Sequence, residues 1–579
     1  MAKKDKTDVS FMKSLFAGVI DQETIFPYPK LPQDEQENLD MILQAWNEFA
    51  KDAVDSPQID RDKKIPKEVL QGMAELGFFG LSIPEQYGGA GLSETAYCRV
   101  FEEVCNYDAS LAVTLGAHAS IGTNGLLLYG TEKQKQKYLP KLASGEWIAA
   151  FALTEPGAGS DAAGIQSKAV LNDKKTHFIL NGGKMWISNG SISDLWTVFA
   201  KTDVIEDGVI KEKISAFLVE AKWPGCSAGK PEDKFGIRGS DTTALNFDNV
   251  QVPVENLLGP LGKGFKVAME TLNVGRLGLA AGNVGGCKLL TQMAADYAKN
   301  RKQFGQSIAE FEIIKDKIAN MAADAYAAES MVYLTSALAD RHTVDYSLES
   351  AISKVFASEA LWRAANEAMQ IAGGNGYSTE YPFGQIVRDA RINLIFEGTN
   401  EILRAFTALA GMQGPGEYLK KIGKALRDPI KGFGLLTEFA VQKVRDVVTK
   451  DTLKNIAPEL KEQAERFNDF ADELQSSVEK VLMKYGKEII HHEFIQQRIA
   501  NMAIDLYGMA AVISRVDSKI KDSKSVEQEM PLVQLYCDAA WRRVRREARQ
   551  IENNLDKQRR QACDLIYNSK QIPFDVFHE

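Results

Sequence analysis

Three glycine-rich segments hold the residue types that could do chemistry. The first runs from Phe151 to Asp161 (FALTEPGAGSD). A Pro-Gly-x-Gly turn lets backbone amides approach a ligand closely, and Thr154 and Ser160 add hydroxyl donors. The second, Lys184 to Gly190 (KMWISNG), reads as β-structure around a large aromatic. Trp186 there either fills a core or stacks on a flat ring. The third is Gln370 to Gly376 (QIAGGNG), followed by Arg391 to Arg404 (RINLIFEGTNEILR). In it Glu397 stands beside Gly398 among Ile395, Phe396 and Ile402. A carboxylate held among apolar side chains is desolvated, which raises its pKa toward the working range of a general base.

The elements that must position these residues follow from texture. At 579 residues the chain can bury several cores, so three or four domains are expected. Hydrophobic residues make up 45% and charged residues 25%, as in a soluble globular protein. The net charge of −9 argues against nucleic acid as the main partner. Six scattered cysteines form no CxxC pair, and His491-His492 lacks the further ligands of a metal site. His118 reads as a packed histidine. No signal peptide is read before Gln22, and no run is read as reaching the ~18 apolar residues of a membrane span.

Residues 1–40 read as an N-terminal extension and 41–148 as a helical domain, with Lys67–Leu76 carrying apolar residues at three- and four-residue spacing. Residues 149–262 read as a middle β domain of hairpins, through runs such as His177–Leu180, Trp196–Ala200, Ile214–Val219 and Ala244–Phe247. A helical bundle is expected at 263–412, a linker at 413–450 and a further helical domain at 451–579. The fold class is therefore α+β: helical domain, β domain, four-helix-type bundle and an extra C-terminal helical domain. There is a faint repeat. Lys317–Asp324 (KIANMAAD) is echoed 181 positions on by Arg498–Asp505 (RIANMAID), and Trp362-Arg363 by Trp541-Arg542. The last region then reads as a second bundle built like the first, without the glycine-rich segments and so without chemistry.

Phe151–Asp161, Lys184–Gly190, Asn300–Gly305 (NRKQFG) and Phe396–Arg404, in this order and spacing, resemble the acyl-CoA dehydrogenase family over residues 26–411. The segments Phe26–Pro29 (FPYP) and Thr114–Gly122 (TLGAHASIG) and the long C-terminal region are most similar to its very-long-chain branch. The resemblance implies an FAD-dependent enzyme that converts long-chain acyl-CoA to trans-2-enoyl-CoA, with Glu397 taking the α-proton. It implies that Phe151, Leu153, Thr154, Gly159 and Ser160 line the flavin site, with Trp186, Ile187 and Ser188 against the ring. It implies that Arg301, Gln303 and Phe304 reach the FAD of a neighbouring subunit. Gln370 and Gly374 would contact its adenine and pyrophosphate end, and Thr399, Asn400 and Glu401 other parts. Ser160, Arg276 and Gly398 would serve the acyl-CoA, Arg276 near the CoA phosphates, while Val113 and Ala117 would line the far end of an acyl tunnel. Some relatives carry the base at the position of Gly275, which cannot serve. The resemblance further implies a homo-oligomer, a dimer, with an electron-transfer flavoprotein as acceptor, in the cytoplasm or mitochondrial matrix. The basic, apolar stretch Lys420–Leu436 is a candidate membrane contact. An oxygen-using oxidase, or an assembly scaffold for respiratory complexes on the same fold, stay open at this point.

Overall fold

The computed structural model describes residues 10–427, 451–570 and 572–574. The candidate membrane segment from residue 428 to Leu436 lies outside the described residues.

Local chemistry sets the N-terminal helices. Ser93 caps Glu94–Tyr107 by accepting from Ala96 N at 3.1 Å, and Asp108 caps Ala109–Gly116 by accepting from Leu111 N at 2.9 Å. Thr131 and Gln134 form a reciprocal capping box at the start of Glu132–Ala143. Between the second and the following helix, Ala117–Gly122 winds as a π-turn.

The β domain is one eight-stranded sheet. Its strands are β1 (Ala149–Ala152), β2 (Lys168–Leu171), β3 (His177–Ser188), β4 (Leu195–Glu206), β5 (Val209–Glu220), β6 (Cys226–Ala228), β7 (Thr242–Pro253) and β8 (Leu257–Leu258). The order is β6-β7-β3-β2-β4-β5-β8, with β1 pairing β4. The β4–β5 hairpin closes on Asp207-Gly208, both with positive φ (53° and 76°), the two-residue turn that matches strand twist. The hairpin reading did not include two parallel pairings, β1 with β4 and β2 with β4. They arise because the Phe151–Asp161 loop crosses out of the sheet before the chain returns as β2.

The bundle that follows is built from Gly264–Asn300, Glu312–Asp340, Ser347–Ala372 and Asn400–Arg427. The last of these runs past the boundary expected at 412. Lys461–Tyr485, Glu493–Lys521 and Met530–Glu552 form the second bundle, packed on the first through one continuous core. The repeat is visible as chemistry. Arg363 Nη2 donates to Asp324 at 2.8 Å, and the repeated aspartate Asp505 accepts from Arg543 Nη2 at 2.7 Å, one residue past the echo of Arg363. The N-terminal residues are more than an extension. Phe11, Met12, Leu15 and Phe16 are buried in the core shared by both bundles, and Ser10 Oγ and Met12 N donate to Glu349 Oε1 at 2.7 and 2.9 Å. Two stretches, Ala109–Tyr129 and Glu493–Lys521, are long and apolar enough to cross a membrane, contrary to the sequence reading. They are 67% and 89% buried within the fold, so their apolar faces are satisfied by core packing.

Candidate active site

The loop that carries Glu397 is built under strain. It follows the short turn Ile392–Leu394 and precedes the Asn400–Arg427 helix. Glu397 has φ 56° and Gly398 φ 93°, a backbone conformation that a glutamate adopts only when its surroundings impose it. Two buried cations impose it. Arg276 Nε donates to Glu397 O at 3.0 Å. Lys354 Nζ donates to Gly398 O and to Asn400 Oδ1, both at 2.9 Å.

The same cations act on the carboxyl. Burial raises the Glu397 pKa to about 7, against the opposing pull of Arg276 and Lys354. Its Oε2 is buried and has no partner among the described residues. Burial in turn lowers Lys354 to about 7. Gly275 makes room for the carboxyl: a Cβ there would stand 2.6 Å from Glu397 Oε2 and 2.5 Å from Ile121 Cγ2. Arg276 is buried, with Nη1 also donating to Asn273 Oδ1 at 3.0 Å, so it clamps the loop rather than reaching outward for a phosphate.

Glu397 faces a cavity of about 350 Å³. Phe151, Leu153, Thr154, Gly159, Ser160, Trp186, Ile187, Ser188, Val113, Ala117, Arg276 and Gly398 all line it, so the structure gathers these sequence-named residues at one place. Two features shape its walls. Trp186 lies at a bulge in β3 with φ 61°, which turns its indole out of the sheet and leaves it 55% exposed. Beneath it, Lys184 Nζ donates to Glu155 Oε1 at 2.7 Å and Leu153 O at 3.0 Å, an ion pair that fastens the Phe151–Asp161 loop to β3. On the opposite side the π-turn presents Ala117, Ser120 and Ile121. His118 holds that turn: its Nδ1 accepts from Ala149 N at 3.0 Å and its Nε2 donates to Phe79 O at 3.1 Å. Burial lowers its pKa to about 4, so it is a neutral structural histidine.

Other sequence-named residues stand elsewhere. Asn400 is buried and spends its amide on Lys354, Ser358 and Glu359. Thr399 Oγ1 accepts from Ile402 N at 3.3 Å as a helix cap, and Glu401 is exposed beside it. Arg301, Gln303 and Phe304 form an exposed hairpin at the far end of the Gly264–Asn300 helix, with Phe304 93% exposed. Gln370 and Gly374 share that end, where Asn375 Nδ2 donates to Tyr297 Oη at 3.1 Å. Sequence reading missed Lys354, Lys184, Tyr97 and Phe101. The one available signal was a lysine set in an apolar helical run, as in AISKVFA at Lys354.

The cavity fits a flat aromatic cofactor. A Cβ at Gly157 or Gly159 would meet no atom within 4 Å, so the loop opens onto free space beside the exposed indole. Thr154, Ser160 and Ser188 supply hydroxyls along that space. A large planar ring with polar edges suits such walls.

Comparison with known proteins agrees. Acyl-CoA dehydrogenase N-terminal, middle and C-terminal domain models match residues 36–146, 150–250 and 262–411, and an ACAD9/ACADV C-terminal domain model matches 458–572. The mitochondrial very long-chain specific acyl-CoA dehydrogenase of Bos taurus is 42% identical over 97% of this chain and 86% of its own. The crystal structure of an acyl-CoA dehydrogenase complexed with FAD from Bacillus anthracis superposes with a TM-score of 0.78 at 33% identity, covering 97% of this chain and 96% of that one. Butyryl-CoA dehydrogenase from Megasphaera elsdenii matches at TM-score 0.62 and 38% identity, with 99% of it covering 66% of this chain. The shorter relative thus leaves a third of this chain unmatched. On the strength of these matches, the chain belongs to the acyl-CoA dehydrogenase family.

Proposed function

We propose that the protein dehydrogenates long- and very-long-chain acyl-CoA thioesters to trans-2-enoyl-CoA, using FAD, as the first step of fatty-acid β-oxidation. The observation that carries this is Glu397: a half-buried residue lining the cavity, with Oε2 buried and without a partner among the described residues and a pKa raised to about 7. A base with that pKa takes a proton near neutral pH without being masked by one. Glu397 removes the α-proton of the thioester. The developing enolate oxygen needs donors, and the Glu397 N–H has no acceptor among the described residues. FAD, when bound, supplies the acceptor for the β-hydride; Trp186, Thr154, Ser160 and Ser188 are the residues that would hold it. Arg276 and Lys354 keep the base ionisable and its backbone fixed.

A dimer supports this chemistry. Arg301 lies 25 residues beyond Arg276, about 37 Å along a helix with a rise of 1.5 Å per residue. The Arg301–Phe304 hairpin is therefore remote from the Trp186 cavity of its own chain, which favours service to a partner's cofactor. An electron-transfer flavoprotein is the acceptor in this reading, and relatives named as mitochondrial support a matrix-type enzyme. Glu397 distinguishes it from a bare scaffold, which has no use for a desolvated base.

Anaerobic titration of the holoenzyme with palmitoyl-CoA tests the proposal, run beside Glu397→Gln. Flavin absorbance should bleach in the wild type and stay in the variant, with both sedimenting as dimers. Bleaching in the variant would overturn the base assignment. A wild type that never bleaches would overturn the substrate class.

A further inference from the structure

Lys184 is a fully buried cation on an inner strand of the sheet. Its side chain has no exposed surface, it stands at the edge of the β3 bulge, and its partner Glu155 is 6% exposed. A buried ion pair is a poor source of stability, because a well-packed apolar pair fills such a space without desolvating two charges. Neither residue lines the cavity. Their bonds go instead to the backbone around it.

Three segments meet at this pair. Lys184 Nζ donates to Leu153 O at 3.0 Å as well as to Glu155, which holds the chain as it leaves β1. Glu155 Oε1 also accepts from Ser167 N at 3.1 Å, and Oε2 accepts from Gln166 N at 2.5 Å, which holds the chain as it enters β2. Met185 N, next to Lys184, donates to Thr154 O at 2.9 Å. One carboxylate therefore closes both ends of the loop from Pro156 to Ile165, and one ammonium ties that closure to the bulge in β3. The loop has little packing of its own at Gly157 and Gly159, where a Cβ would meet no atom within 4 Å. Thr154 at the start of the loop and Trp186 in the bulge both line the cavity. Burial lowers Lys184 to about 8. At Glu155 the bonds to Lys184, Ser167 and Gln166 outweigh burial and hold the carboxyl below its usual range, so the pair is charged at neutral pH.

We propose that Lys184 and Glu155 are the positioning residues of the flavin slot, which fix Thr154 and Trp186 in their places before FAD arrives. The pair is then kept for cofactor affinity and not for stability. This rests on the FAD reading of the cavity given above. A slot that is already built spares the cofactor the cost of ordering it, and an unpinned loop lowers the apparent affinity by the fraction of time the slot is formed. Fixing the backbone of one residue costs about 1–2 kcal/mol, so even one residue left for FAD to order corresponds to about tenfold in the dissociation constant.

The test uses the full chain in wild type, in Lys184→Met and in Lys184→Met combined with Glu155→Gln. The FAD dissociation constant is read from flavin fluorescence on titrating the FAD-free protein, and stability from urea unfolding without FAD. Lys184→Met should weaken FAD binding about tenfold or more and also lower stability, because Glu155 keeps a buried charge without its counter-ion. The double variant removes that charge, so stability should return while FAD binding stays weak. Affinity that recovers together with stability would make the pair purely structural and overturn the proposal, as would wild-type affinity in either variant. A second measurement needs no variant to fold. Amide exchange at Gln166, Ser167 and Met185 in the wild type should be as slow without FAD as with it. Exchange that slows only when FAD binds would show that the cofactor builds the slot, and would overturn the proposal too. A wild type that takes up no FAD would overturn the cofactor reading instead.

Discussion

Replacing Glu397 with glutamine should stabilise the protein above neutral pH while abolishing its activity. The folded-state pKa of Glu397 is raised from 4.5 to about 7 by burial. The sign follows from linkage. Below about pH 4.5 the group holds its proton in both the folded and unfolded chain, so it has no differential effect. Between about pH 4.5 and 7 the unfolded chain releases the proton while the folded chain still holds it, and stability is lost until the folded chain has titrated too. That rise corresponds to about 3 kcal/mol at most, fully expressed above pH 7. Glutamine keeps the shape and cannot ionise, so it escapes that loss. Arg276 and Lys354 lose a counter-charge in the variant, which makes the figure an upper bound. The assay is urea unfolding of wild type and variant at pH 5 and pH 8, with free FAD held constant because a bound ligand adds its own stability. The variant's advantage should be small at pH 5 and grow toward about 3 kcal/mol at pH 8. An advantage that does not grow with pH would show that Glu397 is not desolvated in the folded chain, and the argument for the base would go with it.

Two further substitutions probe the surroundings of the carboxyl. Lys354→Met removes a cation that lowers the Glu397 pKa and frees Gly398 O and Asn400 Oδ1, so the acidic limb of the pH–rate profile should move upward. Activity lost at pH 7 should partly return at pH 9; an unmoved limb would contradict the electrostatic role. Gly275→Ala places a Cβ 2.6 Å from Glu397 Oε2, so the carboxyl must swing aside, and kcat should fall about a hundredfold with the flavin spectrum unchanged. Near-normal kcat in that variant would mean that the carboxyl works from another rotamer.

Much of this molecule was legible because its signals are local. The apolar period of Lys67–Leu76 and the short β-rich runs such as Trp196–Ala200 and Ile214–Val219 each act over a few residues, and each became the element they specify. Glu397 was legible for a similar reason: its apolar neighbours in sequence are also its neighbours in space. Lys354 and Arg276 were not, because their effect depends on the carbonyls of a loop 44 and 121 residues away. The sign of φ at Trp186 and Glu397 was equally hidden. Both residues are of types that rarely adopt it, and only tertiary clamps hold them there. The buried partners of Asn400 were hidden too, because Lys354, Ser358 and Glu359 lie more than 40 residues away in sequence.

The extra bundle has a physical connection to the chemistry that its sequence did not advertise. Asn501, on the Glu493–Lys521 helix of the second bundle, accepts from Arg404 Nε at 2.7 Å. Arg404 Nη1 and Nη2 donate to Glu359 at 2.6 and 2.9 Å. Glu359 accepts from Asn400 Nδ2 at 3.2 Å, and Asn400 Oδ1 accepts from Lys354, which holds Gly398 O. An unbroken polar chain thus runs from the second bundle to the strained backbone beside the base. Such a chain rigidifies a site only when every member is satisfied, since a half-paired member in a low-dielectric interior is costly. Asn501 Oδ1 gives Arg404 Nε its acceptor, so the second bundle contributes to a network that begins at the Glu397 loop. The helix pairing around Arg404 is therefore a place where the second bundle bears directly on the backbone beside Glu397.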